Sequence, residues 1–245
     1  VEDNVTAARA GFDFAREHGA QRLSQKIQPI SGINRRMLLN GNEALSLGAM
    51  AGGCKFISGY PMTPASPILE YLADKSQHYD VVAMHVEDEI AAMNMAIGAA
   101  YAGVRAMVAT SGGGFCLMVE GLALAGMTET PIVVVLGQRP GPATGMPTRT
   151  EQGELWFALH AGHGEFPRAI LAPATAEEAF SIMIKAFNLA EKYQTPVIVL
   201  TDHHIATSYA TVERFDLKQV KIDRGELLSD EELNKSHDYK RHRVT

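Results

Sequence analysis

The stretch Arg105-Ala106-Met107-Val108-Ala109-Thr110-Ser111-Gly112-Gly113-Gly114-Phe115 decides how this chain folds. After Arg105 come four apolar residues and a threonine, then a glycine run that ends any regular element. An apolar segment rich in leucine, methionine and alanine continues to residue 127, and Pro131–Gly137 is the next apolar run. A strand that passes through a glycine turn into a helix and on to another strand is one strand–helix–strand step. Strands this apolar are buried on both faces, which is the mark of a parallel sheet covered on each side.

The same alternation extends in both directions. Lys55–Ser58, Val81–His85, Arg168–Leu171 and Pro196–Leu200 read as further strands, and 42–52, 65–75, 88–102, 115–127 and 176–192 as helices. Residues 37–208 are therefore predicted to form one α/β domain, a doubly wound parallel sheet of about six strands. Ligands of such sheets sit in the loops that leave the carboxyl ends of the strands. Before this domain, residues 1–20 carry a helical pattern (Ala7, Ala8, Phe12, Phe14, Ala15) ended by Gly19, and residues 21–36, with Pro29 and Gly32, read as a linker. After it, residues 209–245 are polar and charged and read as a C-terminal extension.

Composition narrows the function. A net charge of −6 gives no reason for a nucleic-acid partner. The basic end Lys240-Arg241-His242-Arg243 reads as solvated chain. No signal peptide is recognisable, and no apolar run approaches the about 20 residues of a membrane span, so the chain reads as cytoplasmic with no membrane partner. Cys54 and Cys116 lie among small apolar residues and read as buried structural thiols. Without a Cys-x-x-Cys pair the chain cannot by itself ligate an iron–sulfur cluster. His160 and His163, or His203 and His204 beside Asp202, lack a third ligand, and no metal site is predicted.

Three strand-end loops hold the chemistry. In Gly59-Tyr60-Pro61-Met62-Thr63-Pro64 two prolines stiffen a turn and fix the Thr63 hydroxyl beyond a strand end. The same residues also suit a helix start, with Thr63 as N-cap and Pro64 at the first helical position. In His85-Val86-Glu87-Asp88-Glu89 the acids suit the positive end of a helix dipole. The helix behind Glu89 (Ile90, Ala91, Ala92, Met93, then Ala96, Ile97, Gly98) is small and apolar, which predicts burial on most of its circumference. A carboxylate entering such a helix is costly unless something hydrogen-bonds it. Ser111-Gly112-Gly113-Gly114 presents backbone N–H groups at a helix start, with neither a Walker nor a dinucleotide fingerprint.

These segments, in order, carry a resemblance: Tyr60-Pro61-Met62-Thr63-Pro64-Ala65-Ser66, Glu87-Asp88-Glu89-Ile90-Ala91-Ala92, Thr110-Ser111-Gly112-Gly113-Gly114-Phe115, and Gln138-Arg139-Pro140-Gly141-Pro142 running through Arg149-Thr150-Glu151-Gln152. Over about residues 38–205 the chain resembles the α subunit of 2-oxoacid:ferredoxin oxidoreductases, the pyrimidine-binding domain of a thiamine-diphosphate fold. The resemblance implies oxidative decarboxylation of a 2-oxoacid to an acyl-CoA, with coenzyme A as co-substrate and ferredoxin reduced. It makes Glu89 the catalytic carboxylate that hydrogen-bonds N1′ of the aminopyrimidine, because Gly98 follows it by nine residues as the family's ring-packing glycine does. Glu87 is then a solvated neighbour. It assigns Thr63 to catalysis and substrate, Arg149 to the substrate carboxylate with Arg139 as second choice, and Tyr60, Pro61, Ser111, Gly112 and Phe115 to the cofactor. Met62 and Met146 are candidates for the substrate pocket, and either arginine also suits a surface ion pair.

Gly113 departs from the family, where many relatives have proline. No Gly-Asp-Gly with a downstream asparagine is present, the pattern by which such enzymes hold Mg²⁺ on the diphosphate. The resemblance therefore implies a hetero-oligomer whose β subunit brings the diphosphate site and a [4Fe–4S] cluster. Residues 2–20 resemble the tail of a fused γ domain, and Asp238-Tyr239-Lys240-Arg241 the passage into a further domain, which implies a longer natural polypeptide. A non-catalytic interaction or scaffold domain of the same fold is the alternative. Which 2-oxoacid is used, whether 2-oxoglutarate, pyruvate or a branched-chain acid, stays open.

Overall fold

The computed structural model describes residues 1–18, 28, 36–236 and 238–240. The chain divides into two units, residues 1–35 and 36–245. In the first, α1 (Glu2–Glu17) is a helix with no buried residue, and Phe14 stacks on His18. The expected stop at Gly19 and, apart from Gln28 and Arg36, the linker lie outside the described residues.

The second unit begins with β1 (Met37–Leu39), α2 (Gly41–Ala51), β2 (Cys54–Gly59), α3 (Ser66–Lys75), β3 (Val82–His85) and α4 (Glu89–Tyr101). It continues through β4 (Arg105–Ser111), α5 (Gly112–Met127), β5 (Val133–Gln138), α6 (Leu155–His160), β6 (Ala169–Leu171), α7 (Ala176–Tyr193), β7 (Val197–Asp202), α8 (His203–Thr207) and β8 (Ala210–Val212). Six strands pair in parallel in the order β3-β2-β4-β5-β7-β6. The predicted doubly wound sheet is what forms, with each of the six expected strands in it.

Two hydrophobic layers cover the sheet, and alternation along one strand feeds both. Val133 and Val135 face Leu45, Ile68, Leu72, Met183 and Phe187 on the side of α2, α3 and α7. Val134 and Leu136 face Ala96, Phe115, Met118, Leu122 and Ala158 on the side of α4, α5 and α6. β4, β5 and β7 are buried at every position. Gly48 lets α2 and α7 approach until a Cβ would overlap the carbonyl oxygen of Phe180. Gly48→Ala is therefore expected to lower stability by about 1–3 kcal/mol, read from chemical denaturation.

At the amino end of β4 the Arg105 guanidinium is buried. It donates from Nε to Glu191 Oε2 (2.7 Å), from Nη1 to the Gly52 carbonyl (2.6 Å), and from Nη2 to Asn188 Oδ1 (2.9 Å) and the Asp223 carbonyl (2.8 Å). Arg224 meets the other oxygen of Glu191 at 2.7 Å. Asn188 also binds the Lys221 carbonyl and the Asp223 amide, so residues 221–224 are stitched to α7 and β4.

Several local expectations change. Helix α3 starts at Ser66 with Ala65 at its cap, so Thr63 is not an N-cap and Pro64 is not the first helical residue. Only part of α4 is buried: Ile90, Asn94, Met95 and Gly98 are exposed. Small residues satisfy a helix that packs closely on one side, and they do not require cover on the other. Cys116 is exposed on α5, while Cys54 is buried and its thiol is pushed up to about 12 by burial. Strands β1 and β8 form a separate antiparallel pair, too short to leave a period in the sequence.

Candidate active site

Four loops leave the carboxyl ends of the adjacent strands β3, β2, β4 and β5 and gather at one end of the sheet. Glu89 opens α4 behind Asp88, whose side chain accepts from the Ala91 amide at 2.7 Å and caps the helix. Capped by its neighbour, Glu89 is free of that duty and turns inward, 3% exposed. Its Oε1 is buried and has no hydrogen-bond partner among the described residues. The carboxylate lies against Gly114, where a Cβ would stand 2.5 Å from Oε1 and would overlap Thr110 Oγ1. A buried carboxylate oxygen with no donor is costly, and it marks a place where a ligand donor belongs.

The glycine turn is partly used within the protein. Gly114 donates its N–H to Met62 Sδ at 3.1 Å, a weak acceptor, so this amide is not free as the sequence suggested. Ser111 caps α5 without a side-chain bond, and its Oγ is buried and unpartnered among the described residues. Phe115 points into the core edge-on to Phe157, at 5.2 Å between ring centroids, which leaves its backbone alone at the turn.

Arg139, 7% exposed, works as a pin. Its Nη1 donates to the Thr63 carbonyl at 2.7 Å and its Nη2 to the Thr144 carbonyl at 3.0 Å, which ties the loop after β2 to the loop after β5. Arg149 lies on the exposed part of the second loop, and no described residue pairs with its guanidinium. The side chains of Tyr60, Pro61 and Thr63 are exposed at the strand ends, Tyr60 with its ring centroid 6.4 Å from that of His85. The Thr63–Pro64 peptide is cis, and Asn42 Nδ2 donates to the Pro64 carbonyl at 2.8 Å.

Sequence reasoning missed Glu154. Its carboxylate occupies the space that a Cβ on Gly112 would take, and its Oε2 is buried without a partner among the described residues. Burial raises this carboxyl to about 7, against the amide and charge of Arg139, which favour the ionised form. Its own N–H donates to Gln138 Oε1 at 3.0 Å, and two residues earlier Gln152 Nε2 donates to Asp202 Oδ2 at 2.6 Å. No local signal marks Glu154 in the segment Glu151-Gln152-Gly153-Glu154-Leu155, and only a structure brings it to Gly112. A cavity of about 340 Å³ opens here, lined by Gly112, Gly113, Cys116, Arg139, Pro142 and Glu154 among others. A larger groove of about 590 Å³ runs along α7 and contains none of the residues of this site.

Residues 47–242 match the family described as pyruvate flavodoxin/ferredoxin oxidoreductase, thiamine-diphosphate-binding. The chain belongs to this family. Among curated members of the oxidoreductase family, the α subunit of 2-oxoacid:ferredoxin oxidoreductase 1 from Sulfurisphaera tokodaii is 46% identical over 236 residues, 89% of this chain and 36% of its own length. The 2-oxoglutarate synthase subunit KorA of Archaeoglobus fulgidus is 44% identical over 165 residues, 67% of this chain and 48% of its own. The solved 2-oxoglutarate:ferredoxin oxidoreductase of Magnetococcus marinus, with 2-oxoglutarate, coenzyme A and succinyl-CoA bound, superposes with a TM-score of 0.84 at 38% identity. That match covers 93% of this chain and 40% of the other. The chain thus spans between about a third and a half of the length of these relatives. Among the described residues of this family member, no helix is long and apolar enough to cross a membrane.

Proposed function

We propose that the chain is the part of a 2-oxoacid:ferredoxin oxidoreductase α subunit that holds the aminopyrimidine half of thiamine diphosphate. The observation that carries this reading is the buried, unpartnered Oε1 of Glu89 against the Cβ-free backbone of Gly114. The missing Cβ of Gly114 is what lets the carboxylate lie buried at the turn, and its unpartnered oxygen suits the polar edge of an aminopyrimidine ring. When bound, thiamine diphosphate supplies the nucleophilic carbon for the 2-oxo group and takes up the electrons left when CO₂ departs. Glu89 holds the proton relation at N1′, and its burial keeps water from competing for that atom.

The exposed Thr63 hydroxyl and Arg149 guanidinium bind the 2-oxoacid in this reading, which is supported by their exposure and by the two hydrogen bonds through which a guanidinium grips a carboxylate. Arg139, already donating to two carbonyls, takes the supporting role of holding Thr63 in place. Tyr60, Pro61, Ser111 and Gly112 form the surrounding wall. The reaction is oxidative decarboxylation to an acyl-CoA, run in the cytoplasm, with coenzyme A as acceptor and ferredoxin as oxidant.

A β subunit supplies the diphosphate–Mg²⁺ site and the [4Fe–4S] cluster. In support, the turns of α4 and α5 nearest the site carry exposed apolar residues: Ile90 and Met95 on one and Leu117 on the other. Titration calorimetry tests the division of labour. Thiamine diphosphate with Mg²⁺ is expected to give negligible heat with this chain alone and saturable binding once the cluster-bearing subunit is added. Tight binding of ATP or NAD by the chain alone would overturn the assignment.

A further inference from the structure

Glu154 is a second acid of the site, built in from three directions. One oxygen rests on the backbone of Gly112, and the other is buried and unpartnered among the described residues. The chain on either side is held: Glu154 N–H by Gln138, Gln152 by Asp202, and the opposite end of the loop by Arg139. These bonds fix the backbone that carries the carboxyl, which borders the cavity of about 340 Å³ beneath the Pro140–Ala143 turn.

We propose that Glu154 is a substrate-binding residue that keeps its proton and donates it in a hydrogen bond across this cavity to an oxygen of the 2-oxoacid. The proposal rests on the functional reading above. A neutral carboxylic acid donates to an oxyanion, whereas an ionised one repels it. The groups that face Glu154 are Arg139 at the end of β5, Glu151 on the same loop, and the Cys116 thiol across the cavity on α5. Burial favours the acid and outweighs Arg139, which favours the anion; Glu151 adds to the effect of burial, and the proton stays in place up to about pH 7. The sign follows: the hydrogen bond is present below about pH 7 and is lost as pH rises through it.

The test uses the complete complex, assayed for 2-oxoglutarate and pyruvate oxidation across pH. Wild-type kcat/KM should fall about tenfold per pH unit above the Glu154 transition. Glu154→Gln keeps a donor at every pH, so that limb should vanish. Glu154→Ala should raise KM by about 10- to 100-fold at low pH, the loss of one hydrogen bond to a charged group. Independently of turnover, infrared titration of the wild-type complex should show a carboxylic-acid band that disappears near pH 7 and is missing from Glu154→Gln. A mutant that keeps the alkaline limb, or a wild-type complex without the titrating band, overturns the proposal. A wild-type complex that turns over no 2-oxoacid overturns the functional reading, and the substrate role of Glu154 with it. Turnover with an unaltered mutant profile overturns the inference alone.

Discussion

Glu89→Gln is expected to cut turnover of the reconstituted complex by about 10²- to 10⁴-fold, the range lost when a positioned acid–base group is removed. Glutamine matches the volume of glutamate, so the contact with Gly114 and the 3%-exposed position of the side chain are kept. What changes is the atom facing the ring edge: an amide cannot hold the negative charge that the carboxylate brings there. The loss should fall on kcat, with the melting temperature of the chain unchanged. Glu87→Gln serves as the control, because Glu87 is exposed and should leave turnover near wild type. Dye or ferredoxin reduction on the two variants decides the matter, and near-normal turnover in Glu89→Gln would sink the role given to it.

The largest expected effect on stability lies at the other end of the sheet. Glu191→Ala should destabilise the chain by about 3–5 kcal/mol, because it leaves Arg105 charged and buried with its principal acid gone. Glu191 answers Arg105 at 2.6 Å and Arg224 at 2.7 Å, and both it and Arg105 are almost wholly removed from solvent. Lys55 and Asp80 form an ion pair of similar length, 2.9 Å, but in solvent. Lys55→Ala should therefore cost at most about 1 kcal/mol. Urea denaturation of both variants separates the cases, and equal costs would contradict the burial argument.

The sheet was legible because each central strand carries an unbroken run of four apolar residues and its helices begin at recognisable signals, such as Asp88 and Thr175 with their capping side chains. The edge was less so. Val82 and Met84 look like core residues in sequence yet are exposed on β3, since a strand with one neighbour buries only part of its surface. At the site, Glu89 stood out in sequence as a charge before an apolar helix, a conflict visible within ten residues, and the resemblance, through the spacing to Gly98, set it apart from Glu87. Glu154 and the pinning role of Arg139 were not, because each depends on loops far apart in sequence: Arg139 reaches back to Thr63, and Glu154 to Gly112. The thiol of Cys116 was misplaced for a related reason. Small apolar neighbours describe a helix that packs tightly, and they do not say which of its sides does so.

The loop after β5 is exposed from Gly141 to Met146 and again from Thr148 to Gly153, yet it is fastened at its root by Arg139 and at its far end by Gln152. A segment held in this way behaves as an interchangeable cassette. Its interior can be lengthened, shortened or rewritten while the clasps keep both ends registered on the sheet. Selection for a different acid thus has a place to act that leaves the scaffold untouched, and a laboratory graft of this span between relatives has ready-made borders.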